Sequence, residues 1–513
     1  MCFLAQSSPA AEPFFAVLNP AAFAHHIERF NAMEPETVVN HVPNAEAWPW
    51  LQKNIPLFEC PDREVEEIYH FRWWSFRKHL KQTPKGFVIT EFLTPVSHAG
   101  EFNTISCAAG FHLAEGRWIR DDRYLDDYTR FWLRGADGKP QPHFHQFSSW
   151  FAAATYDRYL VSGDRQFILD LLPDLVADYR AWEKERQLPD GLFWQYDVAD
   201  GMEESLSGSR TAKHIRPTIN SYMFANALAI AEIAQLAGRA DVSVEFADKA
   251  RSLKWLVENS LWDAEARFFK TRIPATASAP SVLSDVREAI GYVPWMFGLP
   301  EPTPESSSAF AQLTDPRGFA APFGLTTAER RHPRFRSHGI GTCEWDGAVW
   351  PFATSQTLYA LANYLRASDA SSDITQHASR STFFDAFLTY TRSQYADGKP
   401  FIGEYLDEVT GAWINRRDRS AYYNHSTYAD LLITGVVGLR PRADDTVEVQ
   451  PLLPPETWNW FCLDGVKYHG RTLTIFWDKD GSRYGRGPGL QVLADGKLIA
   501  RTSPLERITG RLP

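Results

Sequence analysis

Two carboxylate-bearing segments, far apart in the chain, carry residue types that together can move protons to and from a substrate. The segment DGLFWQYDVADGMEESLSGSR (190–210) sets Glu203 and Glu204 near Phe193, Trp194 and Tyr196. Aromatic walls desolvate the charged form of a carboxyl, so its pKa rises and it can act as an acid near neutrality. The segment ADGKPFIGEYLDEVTG (396–411) flanks Glu404 with Ile402, Gly403 and Tyr405, and leaves Asp407 and Glu408 to a turn. A buried carboxylate so placed can take a proton from water as a general base. Each segment alone is more readily read as a solvated acidic loop. Between them lies CEWDGAVWPFATSQ, where Trp345, Asp346, Trp350 and Phe352 open a helix. Its rings can stack on a sugar face while Asp346 accepts from hydroxyls, or the same residues can cap and staple that helix.

Other candidates are less distinctive. Trp118, Arg120 and Asp121 in RWIRDD have the makings of a sugar-gripping strip, an indole beside a bidentate donor; Arg120 is as readily an ion pair at a helix start. His143 and His145 have HxH spacing without a third ligand in view, so a pocket wall or helix entry is expected there rather than a metal site. Tyr423, Asn424 and His425 in YYNHS either approach the same pocket or cap a helix.

These residues need a scaffold, and its composition is that of an ordinary folded chain. Its 513 residues are 44% hydrophobic and 23% charged, which excludes disorder. Aromatic residues are abundant: 18 Trp, 19 Tyr and 34 Phe. The net charge of −10 argues against nucleic acid or an anionic membrane as partner, since both reward clustered Lys and Arg. Five scattered cysteines without a CxxC pair suggest neither a disulfide framework nor a zinc site. No stretch reaches the ~20 apolar residues that span a bilayer. The opening MCFLAQSSPAAEP lacks a basic n-region, yet its small residues resemble the stretch just after an export signal. A periplasmic or secreted protein is therefore expected ahead of a cytoplasmic one.

Amphipathic segments at helical spacing begin at Asp62 with DREVEEIYHFRWWSFRKHL and recur through YYNHSTYADLLITGVVGL. Several end in Gly, as helix C-caps do. Long aromatic loops separate them, and compact domains avoid such loops unless the loops carry function. After Pro441 the pattern alternates with period two, and Gly turns separate the runs. This predicts an irregular N-terminal extension (1–61), an all-α domain of repeated helix hairpins (62–440) and a small C-terminal β domain (441–513).

The ordered series GRWIRDDRYLDDY, DGMEESLSG with RPTINSYMFANALAIA, EWDGAVWPF, FIGEYLDEVTG and YYNHSTYADLLITGVVGL resembles the mannosylglycerate hydrolase-like glycosidases. These are related to the inverting processing α-glucosidases. The resemblance spans roughly residues 62–440. It implies an (α/α)6 toroid, with Glu203 at the position of the general acid and Glu404 at that of the general base. WDGAVWP matches the segment that lines the sugar pocket. Trp194, Tyr405 and Tyr423 are expected at the substrate, with Trp118, Arg120, Asp121, Trp345, Asp346 and Trp350. The acid position holds Glu where the family has Asp, and a second acid comes next, so Glu204 stays a candidate beside Glu203.

The implied activity is exo-acting, inverting hydrolysis of an α-linked glycoside or oligosaccharide, with no metal or cofactor. A sugar epimerase or isomerase on the same toroid, leaning on His143, His145, His214 or His425, and a non-catalytic glycan-binding protein are the alternatives. Nothing in the sequence speaks to the oligomeric state.

Overall fold

The computed structural model describes residues 15–339, 343–368, 378–414 and 418–513. The N-terminal run likened to the stretch after an export signal lies outside them. Twelve helices alternate between an outer and an inner position. They are α1 (Arg63–His79), α2 (Ala109–Gly116), α3 (Arg123–Arg134), α4 (Phe151–Ser162), α5 (Arg165–Arg186) and α6 (Pro217–Leu236), then α7 (Ala240–Ser260), α8 (Val293–Met296), α9 (Pro304–Ser307), α10 (Pro351–Ala367), α11 (Arg380–Ser393) and α12 (Ala429–Leu431). The even-numbered helices form the inner ring: α2 packs on α4, α4 on α6, α6 on α8, α8 on α10, α10 on α12, and α12 closes the circle on α2. The fold is the (α/α)6 toroid.

Local sequence explains most helix boundaries. Asp62 caps α1 by accepting from the amides of Glu64 and Val65 at 3.0 and 3.2 Å, and Asp164 caps α5 through Phe167 at 3.0 Å. Proline opens α6 and α10 at the first helical position, where its missing N–H costs nothing. Gly163 ends α4 in the left-handed region at φ 69°, a conformation glycine adopts without strain. Helix α6 is buried on nearly every face, as an inner helix of a filled ring must be.

Two expected helices are cut short. In VREAIGYVPWMFG a 3-10 turn over Ala289–Tyr292 leads into the short α8. Gly291 sits so close to Phe268 that an added Cβ would lie 2.2 Å from its ring. In YYNHSTYADLLITGVVGL, residues 423–428 are not helical. The buried carboxylate of Glu115, on α2, accepts from the amides of Tyr428, Ala429 and Asp430 at 2.9–3.1 Å. That caps α12 at its positive end, and the helix continues as a π-helix over Leu432–Val437. The cap leaves Tyr423–His425 extended at the inner rim.

The C-terminal region is β, as its alternation predicts. A five-stranded antiparallel sheet has the order Leu57–Glu59, Trp460–Tyr468, Arg471–Asp478, Gly489–Ala494 and Lys497–Thr502. Its edge strand therefore comes from the N-terminal extension, which also forms helices at Ala24–Asn31 and Ala47–Asn54. Neither the strand nor the helices have a period readable in sequence. Asp464 ties the extension down by accepting from the amides of Val17 and Leu18 at 2.7 and 2.8 Å.

Candidate active site

The segments entering the inner helices converge at one rim of the toroid, and Glu203 and Glu404 are both there. The Glu203 loop lies just before α6. Asp200 and Arg216, both with fully buried side chains, form an ion pair at 2.6 Å, and Thr218 at the start of α6 also donates to Asp200. Arg216 reaches Ser205 at 3.2 Å, so one guanidinium grips the loop on both sides of Glu203. Farther on, the Ser207 hydroxyl donates to the buried Glu288 and lies 2.8 Å from the Thr271 hydroxyl, from which it can accept. The loop also leans on neighbouring rim segments, with the Ser148 amide donating to the Ala199 carbonyl at 2.8 Å.

The Glu404 loop is fixed differently. Tyr405–Leu406 pairs with Trp413–Ile414, and Leu406 exchanges two 3.0 Å backbone hydrogen bonds with Val349. This bridge joins the Glu404 loop to the Trp345–Trp350 segment. Glu404 is buried, accepts from the Ser420 hydroxyl and lies 3.6 Å from the Arg419 guanidinium.

The electrostatics show that these loops share one space. Burial pushes the Glu203 carboxyl up to about 7; the charges of Asp197 and Glu91 add to the rise, while a backbone hydrogen bond and Arg210 oppose it. The Cys343 thiol is pushed up to about 12, first by burial and then by Glu203, Glu404 and Glu204. Both carboxylates thus act electrostatically on the same thiol. Glu204, with φ 70°, lies 3.9 Å from Arg210.

Rings build one wall. Trp345 stacks on Trp350 at 4.7 Å, and Trp350 stacks on Tyr405 at 4.7 Å. Phe352 meets Trp345 edge-on at 5.2 Å and stacks on His425 at 4.1 Å. Tyr423 and His425 both contact the buried carboxylate of Glu91. Glu91 in GFVITEFL was missed at the sequence level; a lone acid within an apolar run was its only signal.

Not every predicted residue joins this cluster. Trp118 donates to Asp430 at 2.7 Å, Arg120 donates to the Gly465 carbonyl, and Asp121 holds Arg123 at 2.6 Å. This strip braces the seam between the helices and the C-terminal sheet, each of its side chains being engaged by a protein partner. Trp194 lies between the cations of Arg186 and Lys213, 4.5 and 4.6 Å from its ring. Asp346 accepts from the His338 amide at 2.8 Å, which braces the preceding turn, and its Oδ1 is buried without a donor among the described residues. His145 sits between Asp178 and Glu185, and His143 contacts Gln146. Among the described residues no group of His, Cys, Asp and Glu has a metal-binding arrangement, and no helix is long and apolar enough to cross a membrane.

A large cavity, about 500 Å³, lies elsewhere, at the opposite end of the ring. Arg117, Tyr156, Asp157, Tyr359, Arg366 and Asp430 are among its lining residues. Asp430 there accepts from Arg117, Trp118 and Tyr359, so it has no free oxygen to offer a substrate. The two carboxylate loops, and not this cavity, mark the candidate site.

Comparison with known proteins places this arrangement. Residues 101–426 match the mannosylglycerate hydrolase MGH1-like glycoside hydrolase domain, and residues 439–500 match the glycosyl hydrolase family 65 C-terminal domain. A solved structure named "Sialidase" is 49% identical with a TM-score of 0.93, over 97% of this chain and 45% of that one. The chain thus spans less than half of that relative. The GH63 mannosylglycerate hydrolase from Thermus thermophilus, solved with glucose, is 15% identical with a TM-score of 0.52, over 71% of this chain and 98% of that one. The GH78 family rhamnosidase of a Bacillus species is 14% identical with a TM-score of 0.54, over 82% of this chain and 40% of that one. These two share the fold.

Proposed function

The chain belongs to the MGH1-like glycoside hydrolases, and from that premise we propose that it is an exo-acting, inverting glycosidase cleaving an α-linked glycoside or oligosaccharide. Glu203 is the general acid and Glu404 the general base. The observation that carries this reading is the asymmetry of the two carboxyls about one space. Burial pushes the Glu203 carboxyl up to about 7, so it can carry a proton at neutral pH, while Glu404 lies beside the Arg419 cation and accepts from the Ser420 hydroxyl.

In the reaction Glu203 donates its proton to the glycosidic oxygen as the bond to the anomeric carbon breaks. Glu404 removes a proton from a water that attacks the opposite face, so the configuration inverts. Such a pair stands about 6.5–9.5 Å apart, leaving room for the water. The Trp345–Trp350–Tyr405 column offers apolar faces to the ring. A small glycoside or the end of an oligosaccharide is the substrate class.

Turnover of a panel of aryl α-glycosides and oligosaccharides, with proton NMR of the first-formed sugar, tests the proposal. Inversion is expected. Retention would contradict the assignment of Glu404 as base. Exchange of a carbon-bound hydrogen with D₂O, without release of free sugar, would favour an epimerase.

A further inference from the structure

We infer that Glu91 is a substrate-binding residue, whose carboxylate accepts a hydroxyl of the sugar ring held between Glu203 and Glu404. The inference rests on the hydrolase reading and adds to it a specificity-determining contact from the segment ahead of α2.

Glu91 is buried, and only one of its oxygens is occupied. Oε1 accepts from the Tyr423 hydroxyl and lies 3.0 Å from Nδ1 of His425. Oε2 is buried and accepts no hydrogen bond among the described residues. A buried carboxylate oxygen without a donor is costly unless something else supplies one. Held in this way, the carboxylate is fixed in orientation before any ligand arrives. The backbone fixes it too, since the Asn424 amide donates to the Glu91 carbonyl at 3.0 Å and the Asn424 side chain to Thr90 at 3.3 Å.

Its position is equally telling. The charge of Glu91 acts on Glu203, and the charges of Glu91 and Glu404 both act on the Tyr423 hydroxyl. Glu91 therefore stands near both proposed catalytic carboxyls. The Nε2 of His425 is likewise buried and unpartnered among the described residues, and its ring stacks on Phe352. Glu91 Oε2 and His425 Nε2 thus belong to two side chains that touch each other, one of them stacked on Phe352. That combination recognises ring hydroxyls on a sugar whose apolar face is stacked. A carboxylate is the stronger acceptor, so the hydroxyl it takes is the one whose loss is felt most.

Charge adds a second effect. Asp197 and Glu91 favour the protonated form of Glu203, Arg210 opposes it, and the thiols of Cys107 and Cys343 lie close by. Removing the Glu91 charge should let Glu203 lose its proton at lower pH.

The test uses the full chain as wild type, Glu91→Gln and Glu203→Gln, with an aryl α-glycoside that the wild type turns over and its monodeoxy analogues. Wild type should lose about tenfold or more in kcat/KM on one deoxy analogue. Glu91→Gln should lose a similar factor on the parent glycoside yet nothing further on that analogue, and its alkaline limb should move to lower pH. Should Glu91→Gln not fold, Glu91→Asp, which keeps the charge, is run through the same analogues; it should weaken that one position selectively while the alkaline limb stays in place. Equal losses on every analogue, with an unmoved limb in Glu91→Gln, would overturn the inference while the hydrolase reading stands. No turnover by wild type, or full turnover by Glu203→Gln, would remove the hydrolase reading and this inference with it.

Discussion

The two ends of the toroid are built from the same inner helices, and both contain buried carboxylates, but those carboxylates are used in opposite ways. At the end with the larger cavity, Asp430 accepts from Arg117 and Trp118 on one oxygen and from Tyr359 on the other. At the other rim, Glu91 and Asp346 each keep an oxygen buried without a donor among the described residues, and Glu203 is pushed up to about 7. Buried charge that is hydrogen-bonded within the protein holds the barrel together; buried acceptors left incomplete need a donor from solvent or ligand. Chain geometry is the source of the difference. The inner helices begin at the rim that carries Glu203, so the long incoming loops gather there.

The strongest break of this contrast is Glu203→Gln or Glu404→Gln. Each should cost between about a hundredfold and ten-thousandfold in kcat, read with a poor leaving group, while thermal melting stays close to wild type. The mirror experiment is Asp430→Asn. It leaves buried Arg117 with only its longer contact to Asp157 at 3.9 Å, so it should cost about 3 kcal/mol of stability, measured as a lowered urea midpoint, with kcat/KM of the folded enzyme nearly unchanged. Trp118→Phe removes one donor from the same network and should cost about 1 kcal/mol without a change in KM, which separates a seam residue from a sugar-stacking one. The smallest effect is expected of Glu204→Gln, since its partner Arg210 is exposed and the pair is worth less than about 1 kcal/mol; its pH–rate profile should overlay that of wild type.

How far the sequence could be read depended on whether a residue's partners were local. Glu203, Glu404, Trp345, Trp350 and Tyr405 were legible because acid and aromatic residues stand side by side in their own segments. The longer helices were legible for the same reason, as periodicity is a local property. Trp118, Arg120 and Asp121 have an equally inviting composition, yet their partners are Asp430, Gly465 and a neighbouring arginine, none visible from RWIRDD itself. Glu91 shows the converse: its partner Tyr423 lies 332 residues away, so nothing beside it announces its role. The edge strand Leu57–Glu59 was unreadable because its pairing with Trp460–Tyr468 decides its conformation, and three residues carry no period of their own.

The most direct single measurement is the pH dependence of kcat/KM for wild type and Glu203→Gln on one substrate with a poor leaving group. Glu203 is raised by burial, so it is protonated and active below its pKa and loses its proton as pH rises through it. Wild type should fall off with an alkaline midpoint near 7, and Glu203→Gln should lose both rate and that limb. An alkaline limb that survives unchanged in Glu203→Gln would contradict the assignment of Glu203 as the proton donor.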